Sequence, residues 1–138
     1  MDIVGIKYTA PFFDGSGYAE AARQYVLALH KLGIPLTLEA VSFEPARPDL
    51  GETGKLMLSL IDKNIPYNIK IIHLTPEHYE EYREGSPVFN IGYVFCNVRQ
   101  NSILAATQAG CADYFISFVL NQFYIWKNFS FERKLFVF

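Results

Sequence analysis

The sequence predicts an α/β fold: a partial parallel sheet with flanking helices. Short apolar runs recur along the first two thirds of the chain, and amphipathic segments with helical spacing separate them. Of the 138 residues 51% are apolar and 19% charged, enough to bury a sheet in a single domain.

Ile3 to Thr9 is the first strand, ending at Ala10-Pro11 as a buried strand meets its exit loop. A loop from Pro11 to Gly17 follows. Tyr18 to Leu32 then repeats Tyr18, Ala21, Ala22, Tyr25, Val26, Leu29 and Leu32 at helical spacing, with Glu20, Arg23, Gln24 and Lys31 on the other face. Gly33 stands where a left-handed residue ends a helix, and Pro35 prevents resumption. Pro35 to Phe43 is the second strand, and Pro45 to Gly51 a polar loop. Lys55 to Asp62 sets Leu56, Met57, Leu60 and Ile61 on one helical stripe, stopped by Asn64-Ile65-Pro66. Tyr67 to Leu74 is the third strand. Thr75-Pro76-Glu77 signals a helix start, with Thr75 as cap and Pro76 at the first helical position. Phe89 to Phe95 is the fourth strand.

Past Arg99 the character changes. Tyr114 to Phe138 holds ten of the 22 aromatic residues, without glycine, proline or a consistent period. The chain thus divides into a patterned domain, 1–98, and an atypical tail, 99–138.

The net charge of −2 offers no footprint for a polyanion, which argues against a nucleic-acid partner. Cys96 and Cys111 have neither C-x-x-C spacing nor a histidine cluster, so no metal site or disulfide framework is expected. No basic leader opens the chain and no apolar stretch is long enough to span a membrane. The expectation is a cytoplasmic protein, at most peripheral to a membrane.

Chemistry concentrates in Asp14-Gly15-Ser16-Gly17, between the first strand and the first helix. Amides at a helix N-terminus point outward at the positive end of the macrodipole, and glycines let a phosphate approach them. The same residues also suit a glycine turn in which Asp14 or Ser16 caps the helix. A dinucleotide site would share the first two glycines, but its third, small position is Glu20 here, and Pro11 to Asp14 lengthen the loop. His73 and Thr75 lie where the third strand ends, the edge at which open parallel sheets bind ligands. His30 and His78 read as surface helix residues, and Glu77 as a first-turn acid favoured by the helix dipole.

The ordered set Asp14 to Arg23, Val41-Ser42-Phe43, Arg47 to Gly51, Ile72 to Glu77 and Asn90-Ile91-Gly92-Tyr93 resembles the N-terminal Rossmann-like domain of GT-B glycosyltransferases of the family 4 type. The resemblance spans roughly Met1 to Phe95. It implies a retaining transferase that moves a sugar from a nucleotide-sugar donor to an acceptor, with no further cofactor. The donor would be held mainly by a second, C-terminal GT-B domain and the acceptor by this one. Gly15, Ser16 and Gly17 would face the donor diphosphate, and Tyr18, His73 and Thr75 are cleft candidates. The remaining catalytic machinery would lie in the second domain, so no catalytic residue is assigned and this chain alone is expected to be inactive. The alternatives are a non-catalytic flavodoxin-like binding module, although Tyr8-Thr9-Ala10 offers no acidic cluster of the receiver kind, and a dinucleotide-binding domain.

After Tyr93 the chain leaves the family pattern, with Cys96 and Asn97 in the places of a tryptophan and an acidic residue. Reading permitted codons one base later restores that pattern: Asp across Arg99/Gln100, Pro across Ser102/Ile103, Trp across Leu104/Ala105 and Pro-Ser across Ser117 to Val119. On this reading the tail is an out-of-frame translation, with no selected core or turns.

Overall fold

A computed structural model describes residues 2–44 and 49–93 with their side chains, together with the backbone of 94–95, 114–119, 122–127 and 136–137. The expected fold class is found. Strands β1 (Ile6–Ala10), β2 (Leu36–Ala40), β3 (Ile69–Ile72) and β4 (Phe89–Phe95) pair in parallel in the order β2-β1-β3-β4, with helices α1 (Gly17–Lys31), α2 (Gly51–Leu60) and the short α3 (Tyr79–Tyr82) between them. Three strands not anticipated from the sequence extend this sheet: β5 (Tyr114–Val119) parallel to β4, then β6 (Gln122–Lys127) and β7 (Phe136–Val137) antiparallel. Their aromatic and β-branched content favours strand pairing in itself, so the pairing is neutral on the reading frame of the tail. Cys96, Asn97, Cys111 and the segment of the frame argument from Arg99 to Ala105 lie outside the described residues, as does Arg47-Pro48.

Side chains alternate across the pleat. The register therefore sets Ile6, Tyr8, Leu38, Ile71 and Tyr93 on one face and Lys7, Thr9, Glu39, Lys70 and Asn90 on the other. Ala22 and Val26 of α1 and Met57 and Leu60 of α2 join Ile6, Tyr8, Leu36 and Leu38 in the main core. Gly5 fixes the entry to β1 by close packing, because a Cβ there would stand 2.4 Å from the Pro66 carbonyl oxygen.

Helix α1 ends as its sequence signals. Gly33 has φ +72°, its amide donates to His30 O and the Ile34 amide to Leu29 O, the paired bonds of a Schellman motif. Its buried stripe is rotated from the expected one, to Ala19, Ala22, Arg23 and Val26, while Leu32 at the C-cap is 74% exposed. The reason is the loop before the helix. Arg23 turns inward and donates to the carbonyls of Phe12 (2.7 Å) and Asp14 (3.2 Å), main-chain acceptors that neither sheet nor helix can satisfy. Helix α2 starts at Gly51, four residues before the expected position; Gly51 itself takes φ +52°, and Asp49 Oδ1 accepts its amide. Thr75 does not cap with its side chain, and the segment it precedes opens as a 3₁₀ turn, Pro76–His78, before α3.

Candidate functional site

The exits of β1, β2 and β3 meet at one end of the sheet around an open cleft of about 230 Å³. From the β1 exit come Pro11, Asp14, Ser16 and Tyr18. Phe43 and Glu44 follow β2, and Leu74, Thr75 and His78 follow β3.

Ser16 is the N-cap of α1, its Oγ accepting from the Ala19 amide at 3.2 Å. This satisfies one first-turn donor and fixes where the helix begins. Asp14 takes the other role open to it. Its buried carboxylate accepts from the Phe43 amide (2.8 Å) and from Ser42 Oγ (3.1 Å), tying the glycine turn to the β2 exit. Arg23 holds the same turn from the helix side, so both walls of the cleft are fastened. Neither Gly15 nor Gly17 adopts a left-handed φ. A Cβ at Gly17 would meet nothing within 4 Å, and one at Gly15 would meet only the Glu44 carboxylate, at 3.5 Å. The fold itself does not demand glycine at these positions.

Phe43 is 53% exposed at the lip of the cleft, and its ring lies 5.2 Å from that of His78 at 35°. The Glu77 carboxyl is held below its usual range chiefly by the Thr75 hydroxyl.

His73 shares this edge of the sheet: its amide donates to Thr9 O, continuing the β1–β3 pairing. Its side chain is fully buried and does not line the cleft. The rings of Tyr93 (4.3 Å), Tyr18 (5.4 Å), Tyr8 (6.1 Å) and Tyr25 (6.3 Å) surround it. Desolvation pushes its pKa down to about 3, so the imidazole is neutral. Burial likewise drives the Tyr8 phenol well above its usual range, with the nearby Tyr93 and Tyr25 adding to the effect. Tyr8 Oη and His73 Nδ1 are 3.0 Å apart. If Nδ1 were the donor, both the phenol proton and the Nε2 lone pair would be left unmatched. With Tyr8 donating, only Nε2–H lacks a partner, and the structure shows none for Nε2. Tyr8 therefore donates, and Nε2 carries the proton. Tyr18, which lines the cleft and packs on the His73 ring, stands at the boundary between the two.

Of the residues singled out in the sequence, Ser16, Tyr18 and Thr75 line the cleft, Gly15 and Gly17 form the turn at its β1 side, and His73 lies behind Tyr18. Asp14, Phe43, Glu44 and His78 join them. Phe43 belonged to a segment of the resemblance without an assigned role, nothing in the pattern pointed to Glu44, and His78 had read as a surface residue.

The other sheet face carries a polar cluster that no motif announced. Lys70, 3% exposed at its side chain, pairs with Glu39 (3.0 Å) and Glu84 (3.1 Å), and Lys7 pairs with the same two carboxylates at 3.5 and 3.1 Å. Thr9 donates to Glu39 and Tyr67 to Glu84. Burial opposes ionisation of both acids. The hydroxyl and ammonium donors outweigh it, and both pKa values fall below the usual carboxylate range. The cluster joins β1, β2, β3 and the segment after α3.

Among the described residues no group of three or more His, Cys, Asp and Glu is arranged to hold a metal ion, and no helix is long and apolar enough to cross a membrane. No protein-family model matches the chain, and no curated protein or solved structure matches it.

Proposed function

We propose that this chain supplies one wall of a sugar-transfer cleft of the GT-B kind, with Gly15, Ser16 and Gly17 facing the phosphates of a nucleotide-sugar donor. The observation that carries this reading is the glycine turn. It sits at the N-terminus of a 15-residue helix, at the strand-exit edge, and its glycines answer to no strain or crowding in the fold. Close approach of a ligand to the first-turn amides is the remaining reason for them. Glu44 occupies the Gly15 side, so the approach is from Gly17 and Tyr18. The order of motifs along the chain supplies the sugar chemistry, by resemblance. The dinucleotide alternative gains nothing from the geometry: Glu20, at the position that should pack closely, is exposed and paired with Arg23 at 2.7 Å.

Gly17→Ala provides the test. The fold has room for the methyl group, and alanine at a helical position is favoured over glycine by about 1 kcal/mol, so stability is unchanged or higher. Amide chemical shifts of the full chain are followed with uridine diphosphate and with NAD. The diphosphate should move Gly15 to Tyr18 selectively, and Gly17→Ala should weaken that response. Shifts induced by NAD alone, or a diphosphate response untouched by the substitution, refute the assignment.

A further inference from the structure

One hydrogen-bond donor in the core lacks a use within the fold. His73 is fully buried, its Nδ1 is taken by the Tyr8 hydroxyl at 3.0 Å, and among the described residues no acceptor lies within reach of Nε2. A buried N–H without an acceptor is costly, and a fold that keeps one needs a reason for it. The cleft begins one residue further on. Leu74 and Thr75 line it, and the Tyr18 ring both lines it and packs on the His73 ring, at 5.4 Å and 47°. The other rings around His73 are tied into the core: Tyr8 is buried on Nδ1, and Tyr25 and Tyr93 bring their hydroxyl oxygens to 2.7 Å of each other. Tyr18 differs from them in its surroundings. It is half-buried and borders an open volume of about 230 Å³, the room that a change of χ1 rotamer requires. As the second residue of α1 it also stands beside the first-turn amides, so a ligand that reaches those amides arrives next to its side chain.

We infer that Tyr18 is a gate: a phosphate-bearing ligand seated at the Gly17 amide displaces the Tyr18 ring, and one of its phosphate oxygens then accepts a hydrogen bond from His73 Nε2–H. The gate rests on the reading of the glycine turn as a phosphate site and adds to it a second donor, brought from β3. Closed, it keeps the imidazole dry among the tyrosines and its donor in reserve. Open, the amides of α1 and the imidazole hold one phosphate group from two sides. Because the closed form is the resting one, the apparent affinity for phosphate is lowered by the fraction of molecules that are open.

The test titrates the full chain with inorganic pyrophosphate and follows the imidazole nitrogens, the tyrosine rings and the backbone amides by NMR. In the wild type His73 Nε2 and the Tyr18 ring should move together with the amides of Gly15 to Tyr18, along one binding curve. Tyr18→Ala, a residue well suited to a helix, removes the gate and should tighten pyrophosphate binding about three- to tenfold, with the Nε2 response retained. Tyr18→Phe keeps the ring and should bind as the wild type does. Weaker binding by Tyr18→Ala than by Tyr18→Phe would make Tyr18 a contact and not a gate, which overturns the inference. Amide shifts at Gly17 with Nε2 unmoved, as for an imidazole bonded to a fixed buried water, overturn it as well and leave the glycine-turn reading standing. A response of Nε2 and the Tyr18 ring without one from the Gly15 and Gly17 amides supports the gate and removes the glycine-turn reading instead, and silence at both removes both.

Discussion

Acidification should destabilise this protein through His73 before its carboxylates titrate. The imidazole is fully buried, its pKa is depressed from 6.5 to about 3, and its neutral form is the one the core accommodates. Unfolded, the ring binds a proton near pH 6.5; folded, it does so only near pH 3. The stability this group contributes is therefore complete above pH 6.5 and is lost as pH falls toward 3. With those two values the loss is about 2 kcal/mol by pH 5 and about 3 kcal/mol by pH 4, a large part of a total that for small domains runs about 5–15 kcal/mol. The assay is urea unfolding at pH 7 and pH 5 for the wild-type chain and for His73→Phe. The phenylalanine does not titrate. It deprives Tyr8 of its acceptor, at a cost of about 1–3 kcal/mol that is the same at both pH values. His30, His78 and every carboxylate are common to both proteins, so the difference in pH dependence isolates His73. The wild type should lose about 2 kcal/mol more than the variant between pH 7 and pH 5. Identical pH slopes, or a ring resonance of His73 titrating near its ordinary value, would show that the imidazole is hydrated and the buried tyrosine cage wrongly described.

Three further substitutions probe the scaffold that carries the cleft. Gly5→Ala should destabilise by about 1–3 kcal/mol, read as a lowered urea midpoint, since the new methyl meets a backbone carbonyl that has no rotamer with which to yield. Lys70→Met should cost about 3–5 kcal/mol, because Glu39 and Glu84 lose a buried ammonium partner, and the loss should shrink as pH falls and the two acids protonate; a pH-independent loss would assign the effect to packing. Arg23→Met keeps the buried stem but frees the carbonyls of Phe12 and Asp14, with an expected loss of about 1–3 kcal/mol and faster amide exchange from Phe13 to Gly17, whereas exchange unchanged in that turn would mean the guanidinium does not hold it.

The elements most legible in the sequence are those whose signals are local. Gly33 ends α1 because an L-residue there would be strained, and the chain says so without reference to anything distant. The alternation of apolar runs and amphipathic segments likewise dictates strand, helix, strand in sequence order, and the parallel pairing of β1 with β2 and β3 follows from the helices that must cross between them. Arg23 shows where such reading stops. Helical period put it opposite the apolar stripe, yet the loop folded over the first turn of α1 offers it two carbonyls and draws it inside. Lys70, within an apolar run, gave no hint that β2 and the segment after α3 would each bring it a carboxylate.

By its sequence alone the chain determined its class, the order of its elements as far as β4 and the glycine turn at the start of α1, because periodicity, proline and glycine act over a few residues. Only the tertiary structure decided which side chains share the cleft. Phe43 and Glu44 after β2 meet His78 after β3 because parallel register brings all the strand exits to one edge, and the same packing sealed His73 behind Tyr18 among four aromatic rings. Contacts between residues tens of positions apart are set by how sheets and helices close-pack, and no local pattern encodes them.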